Sequence, residues 1–379
     1  MFLSTFGAQM LSVAVSWDLY LQTRSAVVLG NVGFVQVAPF LLFALFAGHV
    51  ADRYDRRRTM IIAQILLLAA SVPLVAGYRS VPVIYSCLFI VAFGRAFQWP
   101  ARQALLPHIV PAEALGNAIT WNSSVQEVSN VTGPAMAGIL LATVGTRTVY
   151  AIYMICAVLT LISFLSLRYR SKVVVNAPAA TLRSLLEGMD FVRKNKLILS
   201  AITLDLFAVL FGGATALLPI YAADILHAGA QGLGWLRAAP SVGSVTMAVV
   251  MAHSPRIHRA GKALLWTVAG FGAATIVFGL SRRLWLSLAM LVLVGAFDNV
   301  SVVLRQSLLQ TGVPDYVKGR VLAFSSIFIS SSNQFGAVES GWTAAWFGPV
   351  ASVAGGGVAT ILVVLTCALV SVQLRRWKQ

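Results

Sequence analysis

Twelve apolar runs, each about long enough to cross a lipid bilayer, cover most of the 379-residue chain. A helix needs about 20 predominantly apolar residues to cross about 30 Å of hydrocarbon. We number the runs spans 1 to 12, and they occupy residues 2–22, 30–51, 60–77, 81–100, 118–142, 147–167, 197–221, 231–252, 262–280, 284–304, 319–344 and 347–373. The alternation typical of a β-barrel is absent, and lipid requires the backbone to bond internally. The sequence therefore predicts an all-α polytopic membrane protein with twelve transmembrane helices.

Composition supports the same class. Hydrophobic residues make up 58% of the chain and charged residues 11%, whereas charged residues are about 25% of a soluble domain. The three cysteines lie singly inside apolar runs, so we expect no metal site and no cofactor. Span 1 begins at residue 2 without a charged lead, which predicts that no signal peptide is cleaved.

An internal duplication divides the spans into two sets. Residues 101–124 align without gaps with residues 304–327, and the same offset continues to residues 145 and 348. The matched residues include arginine, proline, asparagine and glycine, which chance similarity between apolar helices would not align. We expect two six-helix halves, 1–167 and 197–379, with a cytoplasmic linker at 168–196. Its segment 181–194 has the spacing of an amphipathic helix.

Lysine and arginine lie mainly on one side of the predicted membrane. The loops after even-numbered spans, the linker and the C-terminal tail hold 21 of the 28 basic residues, and the opposite loops hold five. Because cytoplasmic loops carry this excess, we expect both termini in the cytoplasm. The net charge of +16 then reflects a basic fringe facing anionic lipid. No nucleic-acid partner is expected.

The loop between spans 2 and 3 combines a glycine, an aspartate and a basic cluster. Its sequence is GHVADRYDRRR, and the motif residues are Gly48, Asp52, Arg53, Arg56, Arg57 and Arg58. Glycine permits close helix packing, and an aspartate at a helix end accepts charge-assisted hydrogen bonds. Such a contact predicts a conformational latch that holds one of two arrangements. The alternative is an ordinary basic cytoplasmic loop.

Six spans, a linker, six similar spans and this loop resemble the major facilitator superfamily of secondary transporters. The segment VAVSWDLY at 13–20 is similar to the first helix of the exporter branch, which includes siderophore (enterobactin-type) and macrolide or multidrug exporters. The resemblance implies the major facilitator fold and alternating access around a midplane cavity. Span 5 resembles an antiporter motif through Gly133, Pro134 and Gly138, which implies a gating hinge. An ordinary proline kink is the alternative.

Charged residues inside the spans are the candidates for coupling and binding. Each costs at least about 2.5 kcal/mol on insertion scales, so such residues are paired, face a cavity or have a function. We expect proton coupling or substrate binding, with internal salt bridges as the alternative, at Asp18, Arg95, Glu127, Asp205, Arg237, Asp298 and Glu339. Two residues, Arg237 and Asp298, are a candidate pair. For Asp18 and Arg95 a location at the membrane interface is a further alternative.

Span 5 also carries polar and aromatic residues around Glu127 at helical spacing. We expect them to line the central cavity, and they are Trp121, Asn122, Gln126 and Asn130. Burial favours the protonated form of a carboxyl, and a nearby arginine favours the ionised form. A proton-driven carrier requires this kind of balance, so Glu127 is the best placed of the candidates.

These features predict a monomeric exporter of a small amphipathic molecule, such as a drug or siderophore, in the bacterial inner membrane. The expected mechanism is proton antiport. An uptake symporter or uniporter is the alternative within the same class. A membrane enzyme would need a nucleophile, metal or phosphate constellation, and a sensor would need a soluble output domain. The sequence shows neither, so we expect no enzyme.

Overall fold

The structure is a computed structural model that describes residues 1–78, 80–167, 182–255 and 257–377. Its first helices are α1 Phe2–Thr23, α2 Ala26–Arg53, α3 Arg56–Ala76, α4 Val81–Ile109, α5 Leu115–Thr143 and α6 Thr146–Ser166. They are followed by α7 Leu182–Lys194, α8 Lys196–Phe211, α9 Leu218–Ile220, α10 Gly229–His253, α11 Ala260–Leu280, α12 Leu284–Gly312, α13 Asp315–Phe347, α14 Pro349–Val370 and α15 Val372–Arg376. These described ranges contain no β-strand.

Ten helical segments of the described chain are long and apolar enough to cross a membrane. They correspond to spans 2 to 4 and 6 to 12. The two other long helices, α1 with 22 residues and α5 with 29, match spans 1 and 5. The all-α, multi-span class predicted from the sequence is confirmed.

Two helices extend beyond their predicted spans because the apolar run ends before the helix does. Span 4 ends at residue 100 whereas α4 continues to Ile109, and span 10 ends at residue 304 whereas α12 continues to Gly312. In each case a proline follows two residues later, at Pro111 and Pro314, and proline limits helix continuation. Arg305, expected in a cytoplasmic loop, therefore lies inside α12 and is 3% exposed. That assignment was wrong.

Span 7 is a broken helix. After α8 ends at Phe211, the chain passes through Gly212 and Gly213 into a 3₁₀ turn, the short α9 and a π turn at Tyr221–Ile225. A Cβ atom added at Gly213 would lie 2.7 Å from the Ser340 hydroxyl and would also overlap the Gly336 carbonyl on α13. The absence of a side chain at this position therefore allows the close approach of the break to α13.

The chain divides into two compact units. Unit 1 comprises Met1–Gln22 and Phe34–Thr181, and unit 2 comprises Thr23–Gly33 and Leu182–Gln379. Helix α7 belongs to unit 2, where Val192 joins the buried core and the Arg320 guanidinium donates to the Glu187 carboxylate at 2.5 Å. The first part of the expected linker, 168–181, lies outside the described residues.

Candidate functional site

A chain of three polar side chains joins α1 and α5 in unit 1. The Gln9 amide donates to the Asn130 side-chain oxygen at 2.6 Å. Glu127 lies one turn before Asn130 on the same side of α5, within interaction distance of its side chain. Glu127 is half-buried and lies near the middle of the 29-residue α5. The group therefore places one carboxyl and two amides together near the middle of α5.

Gly133 determines how closely α1 approaches this group. A Cβ atom at Gly133 would lie 2.7 Å from the Gln9 Cβ and 3.1 Å from the Phe6 carbonyl oxygen. Pro134 is buried in the next position and removes one backbone donor from the helix ladder. Gly138 is buried one turn later. These residues pack α5 within unit 1, and the gating hinge stays a prediction.

The other span 5 candidates differ in exposure. Trp121 is 66% exposed, and Gln126 is half-buried. The Asn122 side-chain oxygen is buried and has no hydrogen-bond partner among the described residues. The lining of a central cavity by these residues stays a prediction.

Asp18 and Arg95 have different surroundings in unit 1. The Asp18 carboxylate is 6% exposed and accepts a hydrogen bond of 3.1 Å from the Tyr150 hydroxyl, which connects α1 to α6. Arg95 on α4 is exposed. Its neighbour in sequence, Gln98, is buried and donates to the Gln64 side chain at 2.9 Å. Gln98 thus belongs to a packing network between α3 and α4 that does not include Arg95.

In unit 2, Asp205 on α8 forms an ion pair with Arg305 on α12. Both side chains are at most 6% exposed. Each of these buried charges is stabilised by the other, because an isolated buried charge is costly. For Asp205 the structure therefore shows the internal salt bridge, and its partner is Arg305, which was expected in the loop after span 10.

The candidate pair of Arg237 and Asp298 is not formed within the described part of unit 2, so this expectation was wrong. Helices α10 and α12 run parallel: the backbone at Pro240 packs on Gly295, and Asn299 donates to the Ser244 hydroxyl at 3.1 Å. In this register the two residues are displaced by six positions, which is about 9 Å along the helices. The Arg237 Nε is buried without a hydrogen-bond partner among the described residues.

Glu339 on α13 is half-buried. The Ser340 hydroxyl donates to its carboxylate at 3.4 Å. Within the described residues of unit 2 it makes no ion pair. Its role in coupling or substrate binding stays a prediction.

The loop between α2 and α3 shows local capping. The Asp55 side chain accepts from the Arg58 backbone N–H at 2.9 Å and so caps the start of α3. Arg57 donates through Nε and Nη2 to the carbonyls of Phe164 and Leu165, at 3.1 and 2.5 Å. These carbonyls belong to the last turn of α6, where a basic side chain is favourable. Arg57 thus stabilises unit 1.

The residues expected to form the latch are only partly described. The side chain of Asp52 lies outside the described residues, while Arg53 and Arg58 are exposed and Arg56 is half-buried. A Cβ atom at Gly48 would meet no described heavy atom within 4 Å. Among the described residues, the close packing expected at Gly48 is therefore not formed, and the latch stays a prediction.

The family model described as transmembrane secretion effector matches residues 1–379, which is the whole chain. The chain belongs to this family of major facilitator transporters. The resemblance inferred from the loop and span motifs is confirmed.

Relatives of this family member have names that describe transport. The chain is 29% identical to macrolide efflux protein A of Streptococcus pyogenes over 59% of its own length, and the match spans 57% of that relative. It is 23% identical to the staphyloferrin A transporter of Staphylococcus aureus over 85% of this chain and 82% of the relative. It is 26% identical to the enterobactin exporter EntS of Shigella boydii over 100% of this chain and 91% of the relative.

Solved structures confirm the fold. The inward-open xylose transporter XylE from E. coli superposes with a TM-score of 0.71 at 14% identity, covering 100% of this chain and 95% of that one. A bacterial homologue of the iron transporter ferroportin gives a TM-score of 0.72 at 15% identity, covering 99% and 97%. This family member has the major facilitator fold.

Sequence reasoning missed two residues of this transporter that contact candidate sites. Gln9 lies on α1, and only the crossing of α1 over Gly133 brings it to Asn130. Arg305 was missed as the partner of Asp205 because a charged residue was taken as the end of span 10. The signal available was its alignment with Arg102 in the repeat, since both arginines lie in helices that continue past their predicted spans.

Proposed function

We propose that the chain exports a small amphipathic molecule of the drug or siderophore type from the cytoplasm in exchange for protons. The family and the efflux and exporter names of its relatives support this direction. We further propose that it acts as a monomer in the bacterial inner membrane with both termini in the cytoplasm. The excess of basic residues in alternate loops supports this orientation.

The polar group formed by Gln9, Asn130 and Glu127 carries the proposal. A half-buried carboxyl at mid-membrane depth is stable when a proton or a cationic group neutralises it. The two amides hold its orientation. If proton and substrate compete for Glu127, release of one accompanies binding of the other, which is antiport.

Alternating access requires two arrangements with different contacts. In the proposed cycle, Asp52 with Arg53, Arg56 and Arg58 stabilises one of them, and Pro134 lets α5 bend between them. Arg57 takes a separate role, because its guanidinium is already bonded to the end of α6.

The test is transport by the purified full-length protein in proteoliposomes loaded with a macrolide, a catecholate siderophore or a carboxylate siderophore. Acidifying the outside should accelerate efflux relative to equal pH. The variant E127Q should lose this acceleration. The matched control is E113Q, which makes the same change at an exposed acid in the turn before α5. If E127Q responds to the pH gradient like the wild type, Glu127 has no part in coupling.

The same vesicles decide between export and uptake. A proton symporter would release its substrate faster when the inside, and not the outside, is acidified. That result would replace antiport with the uptake alternative. A rate independent of pH on both sides would indicate a uniporter.

A further inference from the structure

Unit 2 contains a small cavity between α8, α11 and α12, with two carboxylates and one hydroxyl in a mainly apolar lining. Its volume is about 10 Å³, and its lining includes Asp205, Asp298 and Ser301 together with the rings of Phe271 and Phe297. A space of this size accommodates about one water molecule. It is too small for an amphipathic substrate, but it fits a single small ion.

The cavity holds more negative than positive charge. Asp205 is neutralised by its ion pair with Arg305. Asp298 also lines the cavity, and it makes no ion pair within the described part of unit 2. A second carboxylate beside a buried ion pair is unfavourable unless a cation or a proton accompanies it. The charge balance therefore calls for one monovalent positive charge.

The neighbouring helices do not supply this charge. Helix α11 carries a single ionisable side chain, that of Lys262, at its cytoplasmic end. On α13, Asp315, Lys318 and Arg320 lie in the first two turns, and Glu339 lies about five turns further on. On α10, Arg237 is displaced by about 9 Å along the helix axes from Asp298.

Ser301 provides an independent sign of a ligand. It is 4% exposed, it lines the cavity, and its hydroxyl has no hydrogen-bond partner among the described residues. An unsatisfied buried hydroxyl is costly and calls for an explanation. Ser301 lies three residues after Asp298 and four before Arg305, so all three project from one side of α12. A cation in the cavity would take the free oxygen of Ser301 as a ligand.

We propose that Asp298, Ser301 and Asp205 form a binding site for one monovalent cation, with Arg305 as the fixed counter-charge of Asp205. The cation is either a proton shared through a water molecule or Na⁺, because both need oxygen ligands and one positive charge. The inference rests on the proposed function: the site would hold a second cation coupled to transport, beside the proton that exchanges with substrate at Glu127. The binding test below does not depend on transport.

The test measures thermal unfolding of the purified full-length protein in detergent. NaCl is titrated against choline chloride at constant ionic strength, and separately the pH is lowered from neutral to mildly acidic. A ligand that binds the folded state raises Tm with its concentration. One of the two cations, Na⁺ or the proton, should raise the Tm of the wild type, and this result identifies the bound cation. The Tm of D298N should not depend on that cation.

The second variant is S301A, and its matched control is S287A. Ser287 is fully buried on the same helix, and its hydroxyl also lacks a partner among the described residues, but it does not line the cavity. A purely structural role predicts that both changes leave the cation dependence unaltered. The proposed site predicts that S301A alone raises the cation concentration at half-effect, by about tenfold for one lost ligand contact to a charge.

Two results would overturn the site. One is a wild-type Tm that does not depend on either cation, or a dependence that D298N leaves unchanged. The other is an equal cation dependence in S301A and S287A. If the site is confirmed but no substrate moves in proteoliposomes, the proposed function fails while the cation site stands.

Discussion

Replacing Arg305 by methionine should strongly destabilise the protein, because it leaves the Asp205 carboxylate buried without its partner. The two side chains are 3% and 6% exposed, so solvent does not screen the charge that remains. Removing one member of such a pair costs about 3–5 kcal/mol, whereas replacing both by apolar residues is often neutral. We therefore expect R305M to lower the free energy of unfolding by about 3–5 kcal/mol. The double variant D205L/R305M should regain most of this loss.

The assay is unfolding in mixed micelles with increasing sodium dodecyl sulfate, followed by tryptophan fluorescence, for the wild type, both single variants and the double variant. The cycle isolates the interaction energy of the pair. The control is K194M, because Lys194 and Asp190 form an ion pair whose side chains are 76% and 60% exposed. Exposed pairs contribute about 0.2–1 kcal/mol. If R305M cost no more free energy of unfolding than K194M, the buried ion pair would be refuted.

Three further outcomes are expected in unit 1. The variant G133A should lower the free energy of unfolding by about 1–3 kcal/mol, as overpacking does, because its Cβ would lie 2.7 Å from the Cβ of Gln9. The control G48A should leave it unchanged, because its Cβ meets no described atom within 4 Å. Denaturant unfolding compares the two variants. The variant Q9L should impair substrate efflux in the same assay as E127Q, because it removes the 2.6 Å hydrogen bond that orients the Asn130 amide. The variant R57A should lower Tm, because it loses two hydrogen bonds to the end of α6. The control R58A should leave Tm unchanged, because the Arg58 side chain is exposed. Equal Tm values for the two variants would contradict the capping role of Arg57.

The helices of this protein were predictable because the composition of a segment shows whether it can cross a membrane. Each span needs about 20 apolar residues, so counting runs gave the helices and their order. Helix ends were less predictable. Span 10 was ended just before Arg305, but α12 continues through Arg305, whose charge is neutralised by Asp205.

Side-chain partners were less predictable than helices, because they depend on the register between helices. Arg237 and Asp298 were expected to pair, but the contact of Pro240 with Gly295 displaces them along parallel helices. Gln9 was not singled out, because its role arises only where α1 crosses Gly133. Sequence spacing identifies residues on one helix face and does not give the axial offset between two helices.

The most direct test of the proposed antiport follows the pH inside proteoliposomes when substrate is added outside without an imposed gradient. Substrate that enters must drive protons out, so the interior should become alkaline with the wild type and remain constant in vesicles without protein. An interior that becomes acidic as substrate enters would show symport. Entry of substrate with no change in interior pH would show that protons are not coupled at all, and either result would contradict the account.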